Sequence, residues 1–88
     1  MHALIVVAHH DPQSLTHAVA AQVAAGLSSS GHTVEIADLA AEGFDPRYTC
    51  ADHLVHRTRA TPPADVLAEQ ARIDRADALV LGYPVYWW

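Results

Sequence analysis

Lysine is missing altogether from this chain, and cysteine occurs once, at Cys50. All five cations are arginines: Arg47, Arg57, Arg59, Arg72 and Arg75, of which only the middle two lie close together. A nucleic-acid-binding surface needs a basic stripe, and a chain of formal net charge −5 with its arginines so scattered has none. A single cysteine excludes an intrachain disulfide, and nothing around Cys50 marks a reactive thiol. No apolar run approaches the ~20 residues that cross a bilayer. Met1-His2-Ala3 lacks the basic start of a signal peptide. A cytoplasmic protein without a membrane span is the expectation. Glycine is also sparse. Its four positions form neither a dinucleotide fingerprint nor a phosphate-binding P-loop, and the P-loop lysine is missing too. His53 and His56 are three apart and His9 and His10 are adjacent, but no cysteine or carboxylate completes a ligand pattern, so no metal site is expected.

What is present reads as an α/β chain. Ala3-Leu4-Ile5-Val6-Val7-Ala8 is apolar without alternation, which suits a strand covered on both faces. Ser14 can cap a helix running to about Ser30, with Leu15, Val19, Val23 and Leu27 as its buried stripe and Gly31 as the terminating glycine. Thr33 to Ala37 alternates and predicts a second strand nearer an edge. Residues 38–63 carry Gly43, Pro46, Pro62 and Pro63 without a clean period and read mostly as loop. A helix is predicted over 64–75, its stripe formed by Val66, Leu67, Ala71 and Ile73. Ala78 to Tyr83 predicts a third strand, stopped by Pro84. The order β-α-β-loop-α-β is how a doubly wound parallel sheet begins. A strand of central type followed only by Val85-Tyr86-Trp87-Trp88 would leave an aromatic patch and a raw edge. Residues 1–88 are therefore expected to be the N-terminal part of a single, incomplete domain.

In such sheets ligands bind beyond the carboxyl ends of the strands, where the strand order reverses; for the order 2-1-3-4-5 that point lies between strands one and three. The segments leaving those strands are His9-His10-Asp11-Pro12-Gln13-Ser14-Leu15-Thr16-His17 and Pro84-Val85-Tyr86-Trp87-Trp88. The first leads into a helix N-terminus, where free N–H groups and the positive dipole end suit a phosphate, and His9 could donate to its oxygens. From spacing alone it reads rather more readily as a turn in which Ser14 only caps the helix and the histidines are solvated. The second offers a flat π-surface for a planar heterocycle such as isoalloxazine. It can also be a dimer interface or a core lid.

These residues resemble the flavodoxin-like NAD(P)H:quinone oxidoreductases of the DT-diaphorase group. Leu4-Ile5-Val6-Val7-Ala8-His9 followed by Ser14 is similar to that family's first strand and cofactor turn. Asp38-Leu39 with Glu42-Gly43-Phe44-Asp45-Pro46 resembles the stretch after its second strand. Ala76-Asp77-Ala78-Leu79-Val80 ending in Pro84-Val85-Tyr86-Trp87-Trp88 resembles its third strand and flavin loop. The resemblance implies a homodimer in which FAD, or FMN in some members, takes a hydride from NAD(P)H and passes two electrons to a quinone. It implies that His9, Ser14, Leu15 and Thr16 hold the flavin's phosphate end, and that Pro84, Val85, Tyr86, Trp87 and Trp88 line the isoalloxazine. Leu15 and Thr16 stand where the family commonly has Phe and Asn. No residue of this stretch is implied as catalytic acid or base. The same motifs occur in regulatory flavoprotein subunits of potassium-efflux systems. A flavodoxin-type electron carrier is a further alternative, although its phosphate loop is typically richer in hydroxyls and glycine.

Overall fold

The computed structural model describes residues 1–85. Three strands, β1 (His2–Val7), β2 (Thr33–Asp38) and β3 (Ala78–Gly82), form one parallel sheet in the order β2-β1-β3. β1 lies in the middle, and its apolar run becomes the core: Ala3, Leu4, Ile5 and Val7 are all buried. The second strand lies at an edge, as its mixed pattern predicts.

The helix α1 (Leu15–Ser29) returns the chain from β1 to β2. It ends as the glycine predicts. Gly31 has φ 86°, where an L side chain is strained, while the N–H groups of Gly31 and His32 donate to the carbonyls of Ser28 and Leu27. Its buried side differs from the expected stripe. Ala20 is buried, with Val23, Ala24 and Leu27 packed near it against Ile5 and Val7, whereas Leu15 is 80% and Val19 53% exposed. A strict four-residue series drifts by about 40° per step around a helix of 3.6 residues per turn, so Leu15 lies about 120° from Leu27.

Residues 38–63 are not mostly loop. They contain a further helix, α2 (Cys50–Thr58), so the described chain has three helices where two are expected. Asp52 opens it by accepting from the backbone N–H and the hydroxyl of Thr49, both at 2.8 Å. Arg59, in the left-handed region at φ 56°, closes it. No α2 residue is buried, so this helix adds nothing to the core.

The helix α3 (Ala64–Asp74) starts directly after Pro62 and Pro63, as expected. Its inward side keeps only one residue of the expected stripe: Val66 is half-buried, together with Glu69 and Arg72, whereas Leu67, Ala71 and Ile73 are exposed. Arg72 reaches Glu35 at 3.4 Å and Glu42 at 2.7 Å, and Arg75 reaches Glu35 at 2.7 Å. Glu35 is in register with Leu4, so it projects from the face opposite Ile5 and Val7. α1 therefore packs on one face of the parallel sheet while α3 is tied by ion pairs to the other, which is the doubly wound arrangement.

Candidate functional site

The strand order reverses at β1, between β2 on one side and β3 on the other. Where β1 and β3 end, the Ala8 N–H donates to the Gly82 carbonyl at 2.9 Å, so the two segments singled out by sequence leave the sheet side by side. Asp11 folds the first of them. Its carboxylate accepts from the Gln13 N–H at 2.9 Å and its carbonyl from the Ser14 N–H at 3.1 Å. Its own N–H donates to His9 Nδ1 at 3.0 Å. That contact makes Nδ1 the acceptor, so the proton of a neutral His9 ring sits on Nε2 and is free to be donated.

Ser14 has extended backbone (φ −70°, ψ 159°), and its Oγ accepts from the His17 N–H at 3.2 Å. It is the helix cap, as one of the two readings holds. The N–H groups of Leu15 and Thr16 find no acceptor among the described residues. No acidic side chain occupies the first turn of α1, so its positive end is not neutralised from within the helix. Thr16 faces β3: its methyl lies 3.9 Å from where a Cβ on Gly82 would stand. The Leu15 side chain points into solvent. Pro84 is half-buried beside the β3 end, and Val85 is 76% exposed. Tyr86, Trp87 and Trp88 lie outside the described residues.

Two further residues belong to this constellation. His17, at the third position of α1, brings Nδ1 to 2.8 Å from Ser14 Oγ and Nε2 to 2.9 Å from Asp38 Oδ2 at the end of β2. Asp38 in turn accepts from the Ala41 N–H and donates its own N–H to Glu42. Only the fold joins His17 to Asp38, 21 residues on; the one local clue is a histidine three places after a capping serine. A hollow of about 170 Å³ beside this pair is lined by His9, His10, Pro12, His17, Asp38, Ala40 and Ala41. A larger one, about 410 Å³, lies among Phe44, Pro46, Arg47, Tyr48 and the start of α3, away from the strand ends. Among the described residues no group of three or more His, Cys, Asp or Glu is arranged to hold a metal ion.

The donors gathered here are two backbone N–H groups and an imidazole N–H at the positive end of a helix. They suit an anion, and phosphate oxygens in particular.

The chain belongs to the flavodoxin-like fold family, whose model matches residues 1–88. Its structure superposes on the NAD(P)H:quinone oxidoreductase of Methanothermobacter marburgensis with a TM-score of 0.92 at 36% identity, covering 99% of this chain and 46% of that one. It is 28% identical to the mouse (Mus musculus) ribosyldihydronicotinamide dehydrogenase [quinone], over 97% of this chain and 44% of that protein. To the guinea-pig (Cavia porcellus) NAD(P)H dehydrogenase [quinone] 1 it is 26% identical, over 98% of this chain and 37% of that protein. The chain thus spans less than half the length of these relatives.

Proposed function

We propose that this chain is the N-terminal part of a single flavodoxin-like domain, and that the whole protein is a cytoplasmic, homodimeric, flavin-dependent NAD(P)H:quinone oxidoreductase. One observation carries the reading. The likeness to quinone oxidoreductases runs the length of the chain, and the donors suited to a phosphate stand at the sheet's switch point. His9 Nε2 and the N–H groups of Leu15 and Thr16 would hold the phosphate end of FAD, or of FMN. Pro84, Val85, Tyr86, Trp87 and Trp88 would line the isoalloxazine. Bound flavin supplies the hydride chemistry, from NAD(P)H to a quinone, and the protein supplies placement and electrostatics. These residues bind and orient; none acts as an acid or base.

The test is to purify the full-length protein, measure its flavin-to-protein ratio and follow quinone-dependent oxidation of NADH and NADPH. A yellow protein with quinone-dependent turnover is expected. A colourless protein that reconstitutes with neither FAD nor FMN overturns the assignment.

A further inference from the structure

The hydrogen bonds around Ser14 conflict with a simple role in holding phosphate. Asp38 Oδ2 lies 2.9 Å from His17 Nε2, and a carboxylate can only accept there, so the ring's Nε2 carries a proton. In a neutral ring Nδ1 is then a lone pair, and the contact at 2.8 Å requires the Ser14 hydroxyl to donate into it. The same oxygen accepts from the His17 N–H. Ser14 thus spends its only proton inside the protein and presents a bound phosphate with oxygen lone pairs, which repel it. Protonating His17 reverses this. Nδ1 becomes a donor to Ser14 Oγ, Nε2 keeps Asp38, and the Ser14 hydroxyl is released to donate outward.

We propose that His17 is a positioning residue which sets the direction of the Ser14 hydroxyl, and that binding of the flavin's phosphate end draws a proton onto the His17 ring. The inference rests on the flavin reading above and deepens it. The titratable groups facing His17 are Asp38 from β2 and, from the turn after β1, His9 and His10. His9 lies edge-on with its ring centroid 6.2 Å away, and His10 is stacked on His9. Glu42 stands one hydrogen bond behind Asp38. His9 is a poor site for the proton, because charging its Nδ1 would break the bond from the Asp11 N–H. Asp38 is the acceptor that fixes the ring in both states.

The experiment is isothermal titration of FAD into the full-length apoprotein, in buffers of different ionisation enthalpy at about pH 6–8, the range in which histidine charge changes. FAD is the probe because the phosphate monoester of FMN itself titrates near about pH 6. The wild type should take up as much as one proton per FAD, its affinity falling by up to about tenfold per pH unit where uptake is complete. H17Q and S14A should bind FAD with no uptake, and H10Q should retain it. Ring ¹⁵N shifts of His17 should pass from the Nε2–H tautomer to the doubly protonated form as FAD binds. A wild type that binds FAD without proton uptake overturns the inference and leaves the flavin reading standing. A wild type that binds no flavin overturns both. A purely structural His17 would lower stability in H17Q while leaving wild-type uptake at zero, so the wild-type titration decides even if that variant folds poorly.

Discussion

His9→Ala separates a cofactor contact from a turn contact, because the two ring nitrogens have different partners. Nδ1 accepts from the exposed Asp11 N–H at 3.0 Å, a bond that water can replace. Folding should therefore change by less than about 1 kcal/mol, the usual net worth of such a bond. The helix should be intact, since Ser14 still accepts from the His17 N–H and Asp11 still accepts from Gln13 and Ser14. Nε2, by contrast, would lose a hydrogen bond to a charged phosphate. Such bonds contribute about 1.5–3 kcal/mol, which is roughly a 10- to 150-fold rise in Kd. Quenching of flavin fluorescence during titration of the full-length apoprotein gives the affinity, and thermal melting of the same sample gives the stability. Flavin affinity within twofold of wild type, with a stability loss above about 1 kcal/mol, would show that the turn needs His9 and the cofactor does not.

Three other perturbations test the frame around the site. Ile5→Ala removes a fully buried side chain at the centre of the α1 face, and urea unfolding should show a loss of about 2–5 kcal/mol. Gly31→Ala meets open space but must adopt φ 86°, so it should cost about 1 kcal/mol through backbone strain alone, seen as a lowered Tm with unchanged flavin content. The backbone and hydroxyl of Thr49 hold the Asp52 carboxyl below its usual range. A carboxyl lowered in the folded state stabilises above its unfolded pKa and loses that contribution as pH falls through the folded value. The Cα shifts of residues 50–58 should therefore report α2 fraying on acidification, while α1, capped by a hydroxyl, holds; a D52N variant should lose the transition.

β1 and α1 were legible from the apolar residues that build the core, and α3 from the prolines before it; α2 offers neither signal. β1 announces itself as six consecutive apolar residues because both its faces are covered, and α1 ends where Gly31 permits a left-handed turn. α2 buries no residue, its nine positions span only about two and a half turns, and Thr49 with Asp52 is a quieter signal than a long apolar stripe. The stripe read on α3 failed for a related reason. Its inward side carries Arg72, which reaches beyond the helix to Glu42 and Glu35, with Glu69 on the same guanidinium and Val66 beside them, and ion pairs across the fold have no periodicity within a segment.

The same distinction governs the site. His9, Ser14 and Thr16 stand out as candidates because they fall where a strand ends and a helix starts, the place to which topology brings ligands in such sheets. His17 and Asp38 are not, since their meaning lies in a contact between α1 and β2 that only folding creates. That contact has a physical consequence beyond orientation. From Ser14 through His17 and Asp38 to Glu42, and on to Arg72 of α3, polar partners link the helix on one face of the sheet to the helix on the other. Arg72 is held fully charged by Glu42 foremost, so the far end of the chain is a fixed cation and cannot absorb a change of proton. The histidine is the one link whose charge can change near neutral pH. On the proposed reading, a demand made by an anion at the mouth of the site would therefore be met at His17, one residue past Thr16, rather than dispersed along the network.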